Sequence, residues 1–226
     1  VVSPLIVNHF KHRLTKRAAE CILSKKYVYG PARGPGPERK HTMQTAKHPA
    51  LPLAMTAVMA AVMAVVAPFS ISIGPIPLSL CTLVIYMNAY ILGWKRGTVA
   101  TLVYILLGAV GMPVFNSFSG GLGVVAGPTG GYIVGYLPLA LICGLAVAAA
   151  PKNRVGQFIG MILGTAVLYA LGTAWYCVQS GNPLGVAMGY CVIPFLPGDF
   201  IKMIVAAGVG PMIRTGLEKA GLYPQG

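Results

Sequence analysis

Charged residues are scarce in this sequence, and their scarcity excludes an ordinary soluble domain. Lys, Arg, Asp and Glu make up 9% of the 226 residues, whereas 56% of the residues are hydrophobic. Soluble domains carry about 25% charged residues, so a chain this apolar is typical of an integral membrane protein. Acidic residues are the rarest, since four Asp and Glu stand against 17 Lys and Arg.

Several kinds of catalytic and cofactor site are also missing. All four histidines lie within residues 1–48, which excludes a histidine-based metal site or a Ser-His-Asp triad in the apolar part of the chain. The five cysteines show neither CxxC pairs nor the spacing of metal ligands. No glycine-rich stretch ends in Gly-Lys-Ser/Thr, as a phosphate-binding loop does. We therefore expect no metal and no cofactor.

Residues 1–42 form a basic arm of different composition. They hold nine Lys and Arg against two Glu, a net charge of +7, and include Gly30–Pro37, whose glycines and prolines cannot sustain a helix. Such an arm is able to touch anionic lipid or nucleic acid. We favour a simpler interpretation, in which Met43 is the natural start and the arm is disordered or not native. We expect a membrane domain at residues 43–226 and no nucleic-acid partner.

The rest of the chain predicts an all-α bundle of six transmembrane helices. Lys and Arg lie before the first apolar run, between the second and third, between the fourth and fifth, and after the sixth. Because positively charged loops stay in the cytoplasm, both termini are predicted to be cytoplasmic. The second and third runs are short for a span of about 20 residues. The six runs are Leu51–Phe69, Leu78–Trp94, Thr98–Met112, Gly130–Ala150, Val155–Gln179 and Val186–Ile213.

The stretch Pro194–Lys202 contains the two charges that we place inside the hydrophobic part of the chain, Asp199 and Lys202. A charge at mid-bilayer costs about 2.5–3.5 kcal/mol on insertion scales, so it usually marks a function. Pro197 suits the first position of a helix, and Asp199 then lies in the first turn, where the helix dipole favours a carboxylate. A single acid argues against proton pumping. A buried ion pair that only fixes packing remains an alternative.

The connection Pro113–Thr129 is rich in glycine and carries no Lys or Arg, so we predict that it faces outward. Non-helical backbone at membrane depth survives only when it is buried in protein or lines a cavity. Phe115 offers an apolar wall and Asn116 both a donor and an acceptor. Together with the start of the last run, this connection predicts an outward-opening pocket for a small, partly polar ligand.

The first apolar run carries alanines four residues apart, which let helix backbones approach closely. The two pairs are Ala57 with Ala61 and Ala60 with Ala64. Their spacing alone favours packing within the same bundle. A docking face for another membrane subunit is the alternative.

Five stretches together resemble the BioY family, the biotin-binding membrane subunits (S components) of energy-coupling-factor (ECF) vitamin transporters. In family order they are Ile73–Pro77 with Leu80 and Thr82, Gly108–Phe115, Gly120–Gly123, Gly127–Tyr132 and Pro194–Asp199. The resemblance implies a six-helix bundle in a bacterial or archaeal plasma membrane, in contact with membrane lipid, that holds biotin near the outer face and is not an enzyme. It also implies that the first helix docks on a transmembrane scaffold protein driven by two cytoplasmic ATPases, which favours the docking interpretation of the alanines. Cys81 departs from the family, whose members often carry Gln there.

The same resemblance implies the ligand site. Asp199, Lys202 and, less securely, Asn116 are expected to bind the ureido ring of biotin, whose two N–H groups and carbonyl suit a carboxylate and an ammonium. The full expected set is Asp199, Lys202, Asn116, Phe115, Tyr132, Gly127, Thr129 and Gly130. Three rival hypotheses remain: an S component for another small vitamin, an intramembrane enzyme that uses Asp199 as acid or base, and a purely structural subunit.

Overall fold

The computed structural model describes residues 50–72 and 77–222, all within one unit that covers residues 46–226. Two short strands, β1 (Ser70–Ser72) and β2 (Pro77–Ser79), pair antiparallel, and a 3-10 turn covers Asn116–Phe118. The predicted basic arm, residues 1–42, and most of the Ile73–Pro77 motif lie outside the described residues. The helices of the described part are α1 (Ala50–Val66), α2 (Cys81–Ile91), α3 (Gly93–Ala109), α4 (Leu122–Ala126), α5 (Gly130–Ala149), α6 (Arg154–Ser180), α7 (Leu184–Cys191) and α8 (Leu196–Lys219).

The described helices confirm the prediction of an all-α membrane protein. Helices α5, α6 and α8 are long and apolar enough to cross a bilayer, and α1 and α2 are shorter apolar helices. Large hydrophobic side chains cover much of the outer surface; Leu53 on α1 is 73% exposed and Ile201 on α8 is 61% exposed. Soluble monomers rarely expose apolar surface on this scale, whereas a lipid-facing surface requires it.

Two predicted boundaries are wrong. The last run, Val186–Ile213, is divided into α7 and α8 by turns at residues 192–195, although the helix start predicted at Pro197 is confirmed to within one residue. Pro194 lies in this break. A proline interrupts a helix because it has no backbone N–H and its ring restricts the preceding residue. The second and third runs separate at Leu92 and Gly93 rather than at the basic pair Lys95–Arg96, which lies in the first turn of α3. Gly93 makes this tight junction with a φ of +73°, a conformation that glycine adopts without strain.

Helix α2 lies at the centre of the bundle. Nine of its eleven residues are buried, and it packs against α1, α3, α5 and α8. The most extensive packing joins α5 to α6, where glycines allow the two helices to approach closely. A Cβ at Gly135 would collide with Leu168, and a Cβ at Gly160 would collide with Ala146. The central helix and this tight pair form the walls of the cavity described next.

Candidate functional site

A cavity of about 480 Å³, counted with the space at its open mouth, lies between α2, α5, α6 and α8. Its polar lining consists of Ser79, Thr82, Asn116, Thr129, Asp199 and Lys202. Its aromatic lining consists of Tyr132, Tyr136, Tyr169 and Phe195. A mostly apolar wall with a few convergent polar groups is typical of a binding site.

The start of α8 places both charges at the cavity. Asp199 lies in the first turn, as predicted, with Pro197 at the second helical position rather than the first. One helical turn later, Lys202 donates from Nζ to Asp199 Oδ1 over 2.8 Å. Asp199 is 4% exposed and Lys202 is 7% exposed. A charged pair taken this far out of water is stable only when further hydrogen bonds satisfy both groups.

Those further hydrogen bonds come from the first part of α2 and from the residue that ends β2. Lys202 Nζ donates to the backbone carbonyl of Ser79 over 2.6 Å and to Thr82 Oγ1 over 3.2 Å. The Thr82 hydroxyl in turn donates to Asp199 Oδ1 over 3.3 Å. An ammonium has three protons, so Lys202 has none left for another acceptor in this arrangement.

The second carboxylate oxygen of Asp199 is bound from α6. The Tyr169 hydroxyl donates to Asp199 Oδ2 over 2.6 Å. A carboxylate offers about four acceptor positions, two on each oxygen. Lys202 and Thr82 fill those of Oδ1, and Tyr169 fills one on Oδ2. One acceptor position on Oδ2 therefore remains for a donor in the cavity.

The structure brings five of the eight predicted ligand residues together. Asp199, Lys202, Asn116, Thr129 and Tyr132 all line the cavity. The Asn116 side-chain amide makes no hydrogen bond to another described residue. Its donor and acceptor groups are therefore available to the cavity from the segment 112–129, which lies between α3 and α5.

The other three predicted residues, Phe115, Gly127 and Gly130, lie in or next to the segment 112–129 but do not line the cavity. Phe115 packs edge-on against Tyr104, with ring centroids 5.7 Å apart, and fills the space left by Gly108. Gly127 accepts a hydrogen bond on its carbonyl from the Trp175 indole over 2.9 Å. A Cβ at Gly130 would collide with the carbonyl of Val125.

Sequence reasoning missed Tyr169 and did not assign Thr82 to the site. A signal for Tyr169 does exist on α6. Thr165, Tyr169 and Thr173 recur every four residues and form a polar stripe along one face of an otherwise apolar helix. Each side chain of this stripe bonds across to another helix, Thr165 to Tyr86 over 2.6 Å and Thr173 to Tyr132 over 3.1 Å.

Strand β2 and the segment 112–129 both contribute residues to the cavity lining and are held differently. The β1–β2 hairpin ends at Ser79, whose carbonyl is bound by Lys202 from inside the site. The segment 112–129 is fixed from outside the site by α6, because Gln179 Nε2 donates to the Ala126 carbonyl over 2.8 Å and Trp175 binds Gly127. Strand β2 thus shares a hydrogen bond with the buried ion pair, whereas the segment 112–129 is bonded to α6.

The alanine pairs of α1 face in different directions. Ala57 and Ala61 are exposed on the outer face of the helix. Ala60 is 2% exposed and packs in a small cluster with Ile91 and Ala100, and Ala64 is partly buried against the core. One pair therefore packs within the bundle, and the other leaves a small-residue face open to another helix. The structure describes no group of three or more metal-ligating side chains in residues 50–72 and 77–222.

A cavity that is enclosed by apolar helices and lined by a fully hydrogen-bonded ion pair is typical of a membrane protein with a small-molecule site. The BioY family model matches residues 39–219, and the chain therefore belongs to the BioY family. The biotin transporter BioY of Thermotoga maritima is 37% identical over 153 residues, covering 66% of this chain and 88% of the relative. The probable biotin transporter BioY of Pyrococcus horikoshii is 34% identical over 162 residues, covering 72% of this chain and 95% of the relative.

A solved structure is similar in both fold and sequence. The crystal structure of the S-component for biotin from an ECF-type ABC transporter superposes with a TM-score of 0.69 and 28% identity. The match covers 74% of this chain and 92% of that chain. The similarity therefore extends over nearly the whole of a known S component.

Proposed function

We propose that this protein is the biotin-binding S component of an ECF transporter and captures biotin for uptake. The observation that carries the proposal is the buried network of Asp199, Lys202, Thr82 and Tyr169 at one end of the cavity. Such a network offers a fixed acceptor in a site from which water is largely excluded. Its location in a member of the BioY family supports biotin over other small vitamins.

The hydrogen bonds of the site support one orientation of the bound ligand. A ureido N–H of biotin donates to the remaining acceptor position on Asp199 Oδ2. The ureido carbonyl is able to accept from Lys202 only if Lys202 gives up its bond to Thr82 or to Ser79. Asn116 contributes its amide from the segment 112–129, and the rings of Tyr132 and Phe195 pack on the apolar parts of the ligand. No resident cofactor takes part.

The same proposal includes six spans with both termini in the cytoplasm of a bacterial or archaeal cell. Helices α1, α2, α3, α5, α6 and α8 are the spans. The supporting observation is the distribution of Lys and Arg, which alternates between basic connections and connections that contain neither residue. The segment 112–129 then faces outward, on the side from which a vitamin is captured.

The exposed face of α1 is the proposed docking surface for the scaffold protein of the transporter. Ala57 and Ala61 allow a partner helix to approach closely. The chain carries no nucleotide-binding loop, so two cytoplasmic ATPases supply the energy through the scaffold, and the chain itself is a carrier rather than an enzyme. We expect Ala57→Leu to abolish co-purification with the scaffold and leave biotin binding unchanged. The matched change Ala60→Leu, on the buried face, is expected to destabilise the bundle instead.

Equilibrium dialysis of radiolabelled biotin against the full chain in detergent tests the proposal. We expect saturable one-to-one binding that unlabelled biotin displaces and that thiamine or riboflavin at a hundredfold excess does not. Displacement by another vitamin at lower concentration than biotin would assign the site to that vitamin. No saturable binding by a protein with a cooperative thermal unfolding transition would overturn the biotin assignment.

A further inference from the structure

Tyr169 is a polar side chain of the cavity to which the sequence motifs assign no role. It is half-buried on α6, lines the cavity, and donates its hydroxyl proton to Asp199 Oδ2 over 2.6 Å. This bond is the only one that the described residues make to Oδ2, since Lys202 and Thr82 both bind Oδ1. Tyr169 therefore controls the oxygen that remains open to a ligand.

We propose that Tyr169 is a positioning and specificity-determining residue, which limits Asp199 to a single acceptor position for the ligand. This inference rests on the proposed function, because the ligand that it discriminates is biotin. The hydroxyl fills one of the two acceptor positions on Oδ2 and holds the carboxylate in one orientation. A urea that presents one N–H along this direction satisfies the remaining position and leaves no buried acceptor unpaired.

The same limit rejects a ligand that needs two acceptors at this point. In 2-iminobiotin an imine nitrogen replaces the urea oxygen, and at neutral pH the group is a guanidinium. Two neighbouring N–H groups of a guanidinium point the same way, and both can donate to one oxygen whose two acceptor positions are free. With Oδ1 filled and Tyr169 on Oδ2, Asp199 is unable to accept both. Removal of the hydroxyl frees the second position on Oδ2 and makes the paired interaction available.

The test is the ratio of two affinities in the Tyr169→Phe variant of the full chain. We expect the affinity for biotin to fall by about tenfold, because the bound urea would then leave one acceptor position of Asp199 Oδ2 buried and unpaired. The affinity for 2-iminobiotin is expected to stay level or rise, so that the preference for biotin over the analogue shrinks by about tenfold or more. Calorimetric titration at neutral pH measures both affinities.

Tyr86→Phe is the matched control. Tyr86 is a fully buried tyrosine of α2 whose hydroxyl bonds to Thr165 on α6 over 2.6 Å, yet it does not line the cavity. Its loss removes a hydrogen bond of the same kind between neighbouring helices without touching Asp199. We expect Tyr86→Phe to lower the thermal unfolding midpoint and to leave the ratio of the two affinities unchanged.

The outcomes separate this inference from the proposed function. If wild-type protein binds biotin and Tyr169→Phe keeps the wild-type ratio, Tyr169 only packs α6 against α8 and the inference is overturned. If Tyr169→Phe weakens both ligands by the same factor, as a loosened cavity would, the inference is overturned as well. If folded wild-type protein binds no biotin, the proposed function fails and this inference fails with it.

Discussion

Helix α8 carries two ion pairs that have the same nitrogen–oxygen distance but differ in burial and in hydrogen-bond partners. At its start Lys202 and Asp199 lie 2.8 Å apart, and near its end Arg214 and Glu218 also lie 2.8 Å apart. The side chains of the first pair are 8% and 6% exposed, and those of the second are 23% and 46% exposed. Exposed pairs contribute about 0–1 kcal/mol because water and salt screen them, whereas breaking a buried pair costs about 3–5 kcal/mol. Distance alone therefore says little about what a pair does.

The difference between the pairs is one of context along the helix. Asp199 and Lys202 lie at a cavity and both bond to Thr82, while Lys202 also binds Ser79 and Asp199 also binds Tyr169. Retaining a buried pair has a cost that apolar residues of similar volume would avoid. A function that needs an oriented acceptor accounts for that cost. Arg214 and Glu218 follow a common (i, i+4) pattern on a helix surface.

The largest expected effect is that of Asp199→Asn, which breaks the buried pair. Lys202 would keep its charge in a buried position, and the free energy of unfolding is expected to fall by about 3–5 kcal/mol. Biotin affinity is expected to fall by about 1.5–3 kcal/mol as well, through loss of a charge-assisted hydrogen bond. Thermal unfolding in detergent measures the first quantity and calorimetry the second. A variant with wild-type stability and wild-type affinity would reduce the pair to an incidental contact.

The double replacement Asp199→Leu with Lys202→Met sharpens the comparison, because it separates stability from binding. Replacing a buried ion pair by apolar residues is often neutral or stabilising. We expect the unfolding free energy to return to within about 2 kcal/mol of wild type. Biotin binding is not expected to recover with the stability: calorimetry should show an affinity at least as weak as that of Asp199→Asn. A double variant that binds biotin normally would show that the ion pair serves folding only.

Much of this site was accessible to sequence reasoning, and the reasons are physical. Asp199 and Lys202 stand out because a charge within an apolar run is costly. Asn116 belongs to the glycine-rich connection and Thr129 and Tyr132 to the Gly127–Tyr132 motif, and the structure brings all three to one cavity. Tyr169 carries no such mark, because a tyrosine within a hydrophobic helix resembles a packing residue. The Ser79 contribution comes from a backbone carbonyl, which no residue type reveals.

The helices of the fold were likewise predictable only in part. Apolar runs marked the long helices, since α5 and α6 nearly coincide with the predicted fourth and fifth runs. The division of the last run depended on Pro194, whose effect on hydropathy is small although its effect on backbone geometry is large. The two alanine pairs of α1 have the same spacing, and only the packing of Ala60 against Ile91 and Ala100 separates the inward pair from the outward pair.

A smaller effect is expected for Thr82→Val, which keeps the shape of the side chain and removes its hydroxyl. Lys202 then loses one acceptor and Asp199 Oδ1 loses one donor. We expect biotin affinity to change by about 1–1.5 kcal/mol, the usual contribution of one buried hydrogen bond. Calorimetry detects this change, and Thr101→Val serves as the control, since Thr101 is fully buried on α3 and does not line the cavity. Equal losses of affinity in both variants would contradict a specific role for Thr82.

The smallest effect is expected for Glu218→Gln, which breaks the exposed pair at the other end of the helix. The unfolding free energy is expected to change by at most about 0.5 kcal/mol, and less at high salt. Biotin affinity should remain at the wild-type value. A loss of affinity would show that the end of α8 is coupled to the cavity and would break the contrast between the two pairs.

One measurement tests the central claim most directly: calorimetric titration of biotin into wild-type protein, Asp199→Asn and Glu218→Gln, each as the full chain in the same detergent. Both variants change a carboxylate to an amide on the same helix, so they differ in context alone. The account predicts that wild type and Glu218→Gln bind biotin equally, and that Asp199→Asn binds at least about tenfold more weakly. Equal affinities in all three proteins would contradict the assignment of the buried network as the ligand site.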